Sequence, residues 1–336
     1  MLPYGKQTID QADIDAVVAA ISDRMLTSGP QVEEFENQFA TATQSKHAVA
    51  VSSGTAALHA ALSAMGISEN DEVIVPAITF VATANAVLYC GGRAVFADVD
   101  PGTLLIDVND VAKKITKKTK AIIAMDYAGQ PCNYANLRNL ANHHGLRLIA
   151  DACHSLGGTY QDRPVGSLAD MTCFSFHPVK QITTCEGGMV TTNDADAARQ
   201  MRQFRSHGID ATAAMRQATN THQYDMKTLG FNYRLSDVQC ALGISQLKKL
   251  DSFVSRRQQI AERYQQKLAD VKFVQLLTQH SDRSNGCHLM VMKWDNNASG
   301  CERDELYHHL KQNDIGVNVH YRPVYQNTYY EDRFGM

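Results

Sequence analysis

The stretch Leu146-Arg147-Leu148-Ile149-Ala150-Asp151-Ala152-Cys153-His154 contains a short apolar run that ends in a carboxylate. Such a run is typical of a buried strand in an α/β sheet. Similar runs recur along residues 47–192, and segments with helical periodicity separate them. This alternation predicts an α/β domain built on a seven-stranded, mostly parallel sheet. The candidate strands span residues 48–51, 72–75, 94–97, 121–125, 146–150, 171–176 and 188–192.

The rest of the chain predicts a second, smaller α+β domain. Ser236 is a candidate N-cap for a helix that runs towards Lys249, and a second helix is expected over residues 251–269. The predicted division is therefore a large domain, residues 1–250, and a small C-terminal domain, residues 251–336. Residues 206–228 are polar and aperiodic, which indicates a loop over the site. The small domain is expected to hold strands over residues 271–276, 288–294 and 317–321 and a helix over residues 302–312. No closing helix is expected over residues 329–336, so this domain looks truncated.

The composition argues against several classes of function. The 336 residues are 44% hydrophobic, enough for a large core, and the net charge is only −3 with both signs interspersed. Nucleic acid is therefore not an expected partner. The start carries no charged leader with an apolar run, and no apolar stretch reaches the roughly 18 residues of a membrane span. A cytoplasmic protein without a membrane partner is expected. Eight single cysteines without a C-x-x-C pair predict neither disulfide staples nor a metal site.

In an open α/β sheet, ligands bind beyond the carboxyl ends of the strands, so the polar residues there are the first candidates. Residues 51–58 read Val-Ser-Ser-Gly-Thr-Ala-Ala-Leu, a strand, a turn and a helix start whose free N–H groups favour a phosphate. The hydroxyls of Ser53 and Thr55 add donors. The stretch matches neither G-x-G-x-x-G nor G-x-x-x-x-G-K-[ST], so it does not predict a nucleotide triphosphate. An ordinary strand-to-helix turn with a serine cap explains it equally well.

Three further places carry candidate chemistry. Asp151 ends a strand, where a buried carboxylate either pairs with a cation such as a pyridinium nitrogen or caps the following turn. Lys180 lies between two predicted buried strands, where it either forms a Schiff base or an ion pair, or reaches out to solvent. Phe80 follows the strand that ends near Pro76. Its ring either stacks on a flat cofactor or, as is more common, belongs to the core.

Taken in order, the motifs S-G-T-A-A-L, T-F-V-A-T, D-A-C-H-S-L-G and S-F-H-P-V-K with E-G-G form a recognisable set. The set resembles the DegT/DnrJ/EryC1/StrS family of sugar aminotransferases, over residues 4–330. Four more matches extend it: L-T-S-G-P from Leu26, R-S-H-G from Arg205, L-G-F-N-Y-R-L-S-D from Leu229 and H-Y-R-P-V from His320. The resemblance implies the fold-type I architecture of pyridoxal-phosphate-dependent transferases, as in aspartate aminotransferase.

The resemblance also implies roles for individual residues. Lys180 would carry pyridoxal 5'-phosphate (PLP) as a Schiff base and Asp151 would pair with its pyridine nitrogen, so these two are the expected catalytic residues. His154 would lie near the ring hydroxyl, where many relatives have glutamine, and Phe80 would stack on the ring. The phosphate would be held by Gly54, Thr55 and Ser175. The neighbouring subunit of a homodimer with shared sites would add Asn232, with Arg234 as a helper. The nucleotide-sugar cleft would be lined by Tyr4, Thr27, Ser28, Ser53, His207, His320, Tyr321 and Pro323.

The implied reaction moves an amino group from L-glutamate to C4 of a UDP-linked 4-keto-6-deoxy-N-acetylhexosamine. Residues 175–193 and the L-G-F-N-Y-R segment most resemble transaminases of the pseudaminic acid pathway. Gln181 stands where those relatives have proline and Cys185 where they have alanine, which leaves the sugar open, and the chain ends earlier than most members. Three other hypotheses remain at this point. The protein could be another nucleotide-sugar aminotransferase or a non-catalytic oligomeric relative. It could also be a sugar dehydratase of the same family, a branch in which histidine replaces the lysine.

Overall fold

The computed structural model describes residues 1–23, 25–211, 216 and 220–335, and a seven-stranded sheet lies at its centre. In chain order the first nine strands are β1 (His47–Val51), β2 (Glu72–Pro76), β3 (Arg93–Ala97), β4 (Thr119–Met125), β5 (Arg147–Asp151), β6 (Thr159–Tyr160), β7 (Arg163–Pro164), β8 (Met171–Ser175) and β9 (Gly188–Thr192). The central sheet has the order β1-β9-β8-β5-β4-β2-β3, while β6 and β7 pair outside it. Strand β9 is antiparallel to both neighbours and every other adjacent pair is parallel. The predicted α/β fold with a seven-stranded, mostly parallel sheet is therefore confirmed.

Helices cover both faces of this sheet, which is why its strands are apolar runs rather than alternating ones. The first seven helices are α1 (Gln11–Ile21), α2 (Pro30–Ala42), α3 (Gly54–Ala64), α4 (Val81–Tyr89), α5 (Val108–Lys114), α6 (Tyr134–His144) and α7 (Ala195–Phe204). One core cluster packs α2, α5 and α6 against the sheet, and the other packs α3, α4 and α7. Successive residues of one strand feed opposite clusters: Ala50 belongs to the first and Val51 to the second.

Two long helices, α8 (Asp237–Leu247) and α9 (Leu250–Leu268), follow the sheet, close to their predicted bounds. Ser236 starts α8 with a capping box in which its hydroxyl accepts from the Gln239 N–H. The later elements are β10 (Val274–Leu276), β11 (Arg283–Ser284), β12 (Met292–Trp294), α10 (Asn296–Ser299) and α11 (Arg303–Gln312). Strands β10 and β12 pair with each other, and both are shorter than predicted. The domain boundary at residue 250 stays a prediction.

The strand predicted over residues 317–321 is wrong. The segment joins no ladder. Its backbone hydrogen bonds are instead scattered: the Tyr127 hydroxyl donates to the His320 carbonyl, and the Val319 N–H donates to the Asn318 side-chain oxygen. Apolar and β-branched content alone does not distinguish such a segment from a strand.

The absence of a closing helix over residues 329–336 is also wrong, because α12 (Thr328–Phe334) forms there. Tyr330 and Phe334 lie one helical turn apart and pack on the α3/α4 side of the sheet. The Tyr330 hydroxyl donates to Asn85 of α4 at 2.7 Å. Gly335 ends the helix in the left-handed conformation, with φ 62°. This aromatic spacing followed by glycine was the missed signal.

The polar segment 206–228 forms bends, turns and single bridges where it is described, and residues 212–215 and 217–219 lie outside the described residues. That it covers the site stays a prediction. Within the described part of the chain, no helix combines the length and apolar content that crossing a bilayer requires.

Candidate active site

The carboxyl ends of the parallel strands bring the candidate residues to one edge of the sheet. Asp151 is the last residue of β5, and Ser175 is the last residue of the adjacent β8. The turn that follows β1 reaches the same edge, where Gly188 starts the antiparallel β9: a Cβ on Gly188 would lie 2.3 Å from the Ser53 carbonyl oxygen. Residues far apart in sequence are thus neighbours beyond the strand ends, as expected for an α/β site.

Asp151 is only 2% exposed, and hydrogen bonds hold its carboxylate. The Thr83 hydroxyl donates to Oδ2 at 2.7 Å, and the Cys153 N–H donates to Oδ1 at 3.3 Å. Thr83 lies one turn into α4 and is itself bonded to the Thr79 hydroxyl at 2.7 Å. The carboxylate is therefore oriented before any ligand binds, which favours electrostatic stabilisation of a cation at a defined place.

Lys180 lies in the loop between β8 and β9, where its N–H donates to the His177 carbonyl at 2.9 Å. The residue is half-buried. Burial lowers the pKa of its amine, and the charges of Cys153 and Asp151 offset that effect only in part. A lowered pKa leaves a larger share of the amine neutral at physiological pH, which is the nucleophilic form. The negative charge of Asp151 is thus one of the groups that act on this amine.

The start of α3 provides a cradle for a phosphate. The Ser53 hydroxyl accepts from the Ala56 N–H at 3.1 Å, and the earlier N–H groups of the helix have no intrahelical acceptor. Gly54 lies so close to β8 that an added Cβ would come within 2.9 Å of the Ser175 Cβ and 3.1 Å of the Cys153 sulfur. A side chain there would fill the cradle, whereas Thr55 and Ser175 are both half-buried and offer hydroxyl donors. The donor set fits the phosphate of PLP.

His154 is buried, and its Nδ1 atom has no hydrogen-bond partner. Its Nε2 atom lies 3.4 Å from the Tyr321 hydroxyl. Burial, together with the charge of Lys180, holds the pKa of this imidazole well below its usual range, so the ring is neutral. A neutral imidazole carries one donor and one acceptor nitrogen. An unpartnered polar atom beside Asp151 and Lys180 fits a ligand with a ring hydroxyl, as PLP has.

An aromatic cluster contacts His154 through Tyr321. Phe80 precedes α4 with 52% of its surface exposed, and its ring centroid lies 6.1 Å from that of Tyr321. The Tyr4 hydroxyl bonds to His320 Nε2 at 2.9 Å, and the two rings are stacked at 5.4 Å. Burial raises the pKa of Tyr4 to about 12. Exposed, amphipathic rings of this kind suit the faces and hydroxyls of a flat or sugar-bearing ligand.

The other predicted residues lie on three separate segments of the chain. Pro323 precedes a single 3-10 turn, Val324–Gln326, whose first N–H donates to the Ala77 carbonyl at 2.9 Å. Thr27 forms a bridge with Ser236, and Ser28 follows it with φ 56°. A separate segment carries three more of the predicted residues: His207, Asn232 and Arg234. Within the described ranges, no hydrogen bond or ring contact joins these last three to Lys180 or Asp151.

Several residues of the site escaped the sequence reasoning. Thr83 stood in a quoted motif, and its spacing of four from Thr79 was an available signal. Asp126 directly follows β4, just as Asp151 ends β5, so the same pattern pointed to it. Its buried carboxylate accepts from the Ser155 hydroxyl at 2.6 Å and the Tyr134 hydroxyl at 2.7 Å, and burial raises its pKa to about 6. These hydrogen bonds connect the residue after β4 with the loop after β5 and with the start of α6.

Comparisons with known proteins agree with this geometry. The DegT/DnrJ/EryC1/StrS aminotransferase family matches residues 7–336. The spore coat polysaccharide biosynthesis protein SpsC of Bacillus subtilis (strain 168) is 38% identical over 336 residues, which is 99% of this chain and 86% of that protein.

Solved structures agree as well. PseC of Helicobacter pylori, an aminotransferase involved in the biosynthesis of pseudoaminic acid, superposes with a TM-score of 0.92 at 32% identity, covering 100% of this chain and 88% of that one. The PLP form of a putative sugar aminotransferase, Spr1654 of Streptococcus pneumoniae, gives 0.90 at 29% identity over 98% of this chain and 87% of its own. The chain belongs to the DegT/DnrJ/EryC1/StrS family and is a PLP-dependent sugar aminotransferase of fold type I.

Proposed function

We propose that this enzyme transfers an amino group from L-glutamate to C4 of a UDP-linked 4-keto-6-deoxy-N-acetylhexosamine, with Lys180 as the lysine that bonds PLP. The observation that carries the proposal is the buried, pre-oriented Asp151 carboxylate at one edge of the sheet, whose negative charge acts to raise the pKa of the half-buried Lys180 amine. Bound PLP supplies an electron sink for bond cleavage at a substrate carbon.

Each residue of the proposed site then has a defined role. Asp151 keeps the pyridine nitrogen protonated, and Thr83 holds the carboxylate in place for it. With PLP bound, the Lys180 amine would move a proton between the substrate carbon and the cofactor. His154 meets the ring hydroxyl, and Phe80 stacks on the ring face. The phosphate is held by the donors of Gly54, Thr55 and Ser175.

The sugar assignment rests on the aromatic cleft and on the relatives. The cluster around His320 presents stacked rings and the Tyr4 hydroxyl. PseC is involved in making pseudoaminic acid, a sugar product, and SpsC acts in spore coat polysaccharide biosynthesis. The predicted substrate residues remain the candidates for this cleft: Tyr4, Thr27, Ser28, Ser53, His207, His320, Tyr321 and Pro323. Of these, Tyr4, His320 and Tyr321 form one group of contacting rings. A cytoplasmic location without a nucleic-acid partner stays a prediction.

A homodimer with shared sites is part of the proposal. Tyr224, Met226 and Leu229 are 60%, 60% and 78% exposed, and they precede Asn232 in the chain. Exposed apolar side chains grouped in one segment are typical of an interface. Since Asn232 and Arg234 make no contact with Lys180 within the described ranges, a second subunit would bring them to the phosphate.

Product mass tests the reaction directly. Incubated with L-glutamate labelled with ¹⁵N on its amino group and a panel of UDP-4-keto sugars, the enzyme is expected to yield an amino sugar that carries the label. A reaction without glutamate and a reaction with the Lys180→Ala enzyme are the controls. Loss of water without gain of nitrogen would instead identify a dehydratase, and binding of PLP without any product would identify a non-catalytic relative.

Subunit mixing tests the shared site. Lys180→Ala and Asn232→Ala chains are each expected to be nearly inactive at limiting PLP. A refolded equal mixture should regain about a quarter of the wild-type activity, because half of the dimers then contain one complete site. No recovery, in a mixture shown by native mass spectrometry to contain mixed dimers, would place Asn232 in the same subunit's site or outside it.

A further inference from the structure

Arg257 of α9 reaches the loop that carries Lys180. Its Nη2 atom donates to the Lys180 carbonyl at 3.0 Å and to the Val179 carbonyl at 3.3 Å. Its Nη1 atom donates to the carbonyls of Cys287 and His288 at 3.3 and 3.5 Å. One guanidinium therefore joins two chain segments that are about a hundred residues apart.

This cation has no carboxylate partner within the described ranges. It is half-buried, and burial lowers the pKa of the guanidinium. Holding such a charge away from water against neutral carbonyls is costly unless the geometry has a use. A planar guanidinium presents its donors in a fixed fork, so it sets the positions of the acceptors around it relative to one another.

The segment on the other side of the fork also belongs to the site. The His288 ring lies 4.4 Å from the His154 ring between centroids, and its Nδ1 atom is buried without a partner. The residue after the lysine adds a second tie: Gln181 Nε2 donates to the His154 carbonyl at 2.5 Å and to the Gly286 carbonyl at 3.1 Å. The Lys180 loop is thus fastened to the His288 segment both at and after the lysine.

We infer that Arg257 is a positioning residue, which fixes the main chain of Lys180 and the His288 segment so that the lysine amine and the His154 ring meet the same ligand. The inference rests on the proposed role of Lys180. Without the fork, the lysine's backbone can shift relative to Asp151 and His154. A displacement of about 1 Å at a reacting group can cost on the order of 10²-fold in rate.

The test compares Arg257→Met with Arg257→Lys and two control variants. Arg256→Met removes the adjacent surface arginine, which bonds to Gln259. Arg283→Met removes another arginine that clamps a carbonyl, that of Pro131 at 2.8 Å, with its side chain only 5% exposed. The second control reports the loss expected from a structural arginine away from Lys180. For each variant we would measure kcat and the KM for the sugar, and the midpoint of thermal unfolding of the cofactor-free protein. We would also measure the rate at which added PLP becomes attached to the protein, by trapping it with borohydride.

Arg257→Met is expected to lower both kcat and the rate of PLP capture by roughly 10²-fold, with little change in the KM for the sugar. Arg257→Lys should recover part of both, because an ammonium can still bond some of these carbonyls. Arg256→Met should match the wild type. If Arg257→Met loses no more than Arg283→Met, or if it captures PLP at the wild-type rate, the inference is wrong. Mapping the borohydride-fixed lysine separates the two levels: attachment elsewhere than Lys180 overturns the proposed function, whereas attachment at Lys180 at a normal rate overturns only the role of Arg257.

Discussion

Lys180→Ala enzyme is expected to lose turnover by on the order of 10⁴-fold or more, because the variant lacks both the amine that bonds PLP and the group that moves the proton. The visible absorbance of bound PLP should disappear with it. Burial lowers the pKa of this half-buried amine, which favours its nucleophilic form. Turnover of ¹⁵N-glutamate with the keto sugar, followed by mass, is the measurement.

Two comparisons make this result specific. Lys248→Ala changes an exposed lysine at the end of α8 and should leave turnover unchanged. Lys180→Arg keeps a positive charge without the nucleophile, and it should be as inactive as the alanine variant. Wild-type turnover in Lys180→Ala would contradict the assignment of the lysine.

Asp151→Asn is expected to lower kcat by about 10²- to 10³-fold, the range found when a pre-oriented electrostatic partner is removed. The amide can still accept from the Thr83 hydroxyl, so the main loss is the negative charge that we propose lies opposite the pyridine nitrogen. Steady-state kinetics at saturating PLP would measure it, and the affinity for PLP should fall less than kcat does.

Thr83→Val provides the matched control for that charge. It removes the 2.7 Å hydrogen bond but leaves the carboxylate in place, and an effect of about tenfold is expected. An Asp151→Asn enzyme no slower than Thr83→Val would show that the hydrogen bond, rather than the charge, matters at this position.

Much of the sheet could be predicted because its strands are buried on both faces. Burial on both faces requires continuous apolar runs, and such a run ends where the chain leaves the core, as at Asp151. The position of Asp151 at a strand end followed from the same rule, whereas the strand predicted over residues 171–176 extended one residue past Ser175. The roles of Lys180 and His154 came from the resemblance to a family, since spacing alone did not exclude a lysine that reaches solvent.

The remaining features depend on contacts between distant segments, which a single sequence does not reveal. Residues 317–321 look like a strand, yet the hydrogen bonds of their backbone run to a tyrosine hydroxyl and an asparagine side chain. Arg257 looks like one more charged residue of an amphipathic helix until its carbonyl partners are known. The closing helix α12 was different, because its aromatic spacing and Gly335 were local signals that could have been recognised.

The most direct measurement of the central claim is to reduce the PLP-loaded wild-type enzyme with borohydride, digest it, and identify by mass the peptide that retains the cofactor. If Lys180 bonds PLP, we expect one modified lysine, Lys180, within the peptide that also contains His177 and Gln181. PLP fixed to any other lysine, or not fixed to the chain at all, would contradict it.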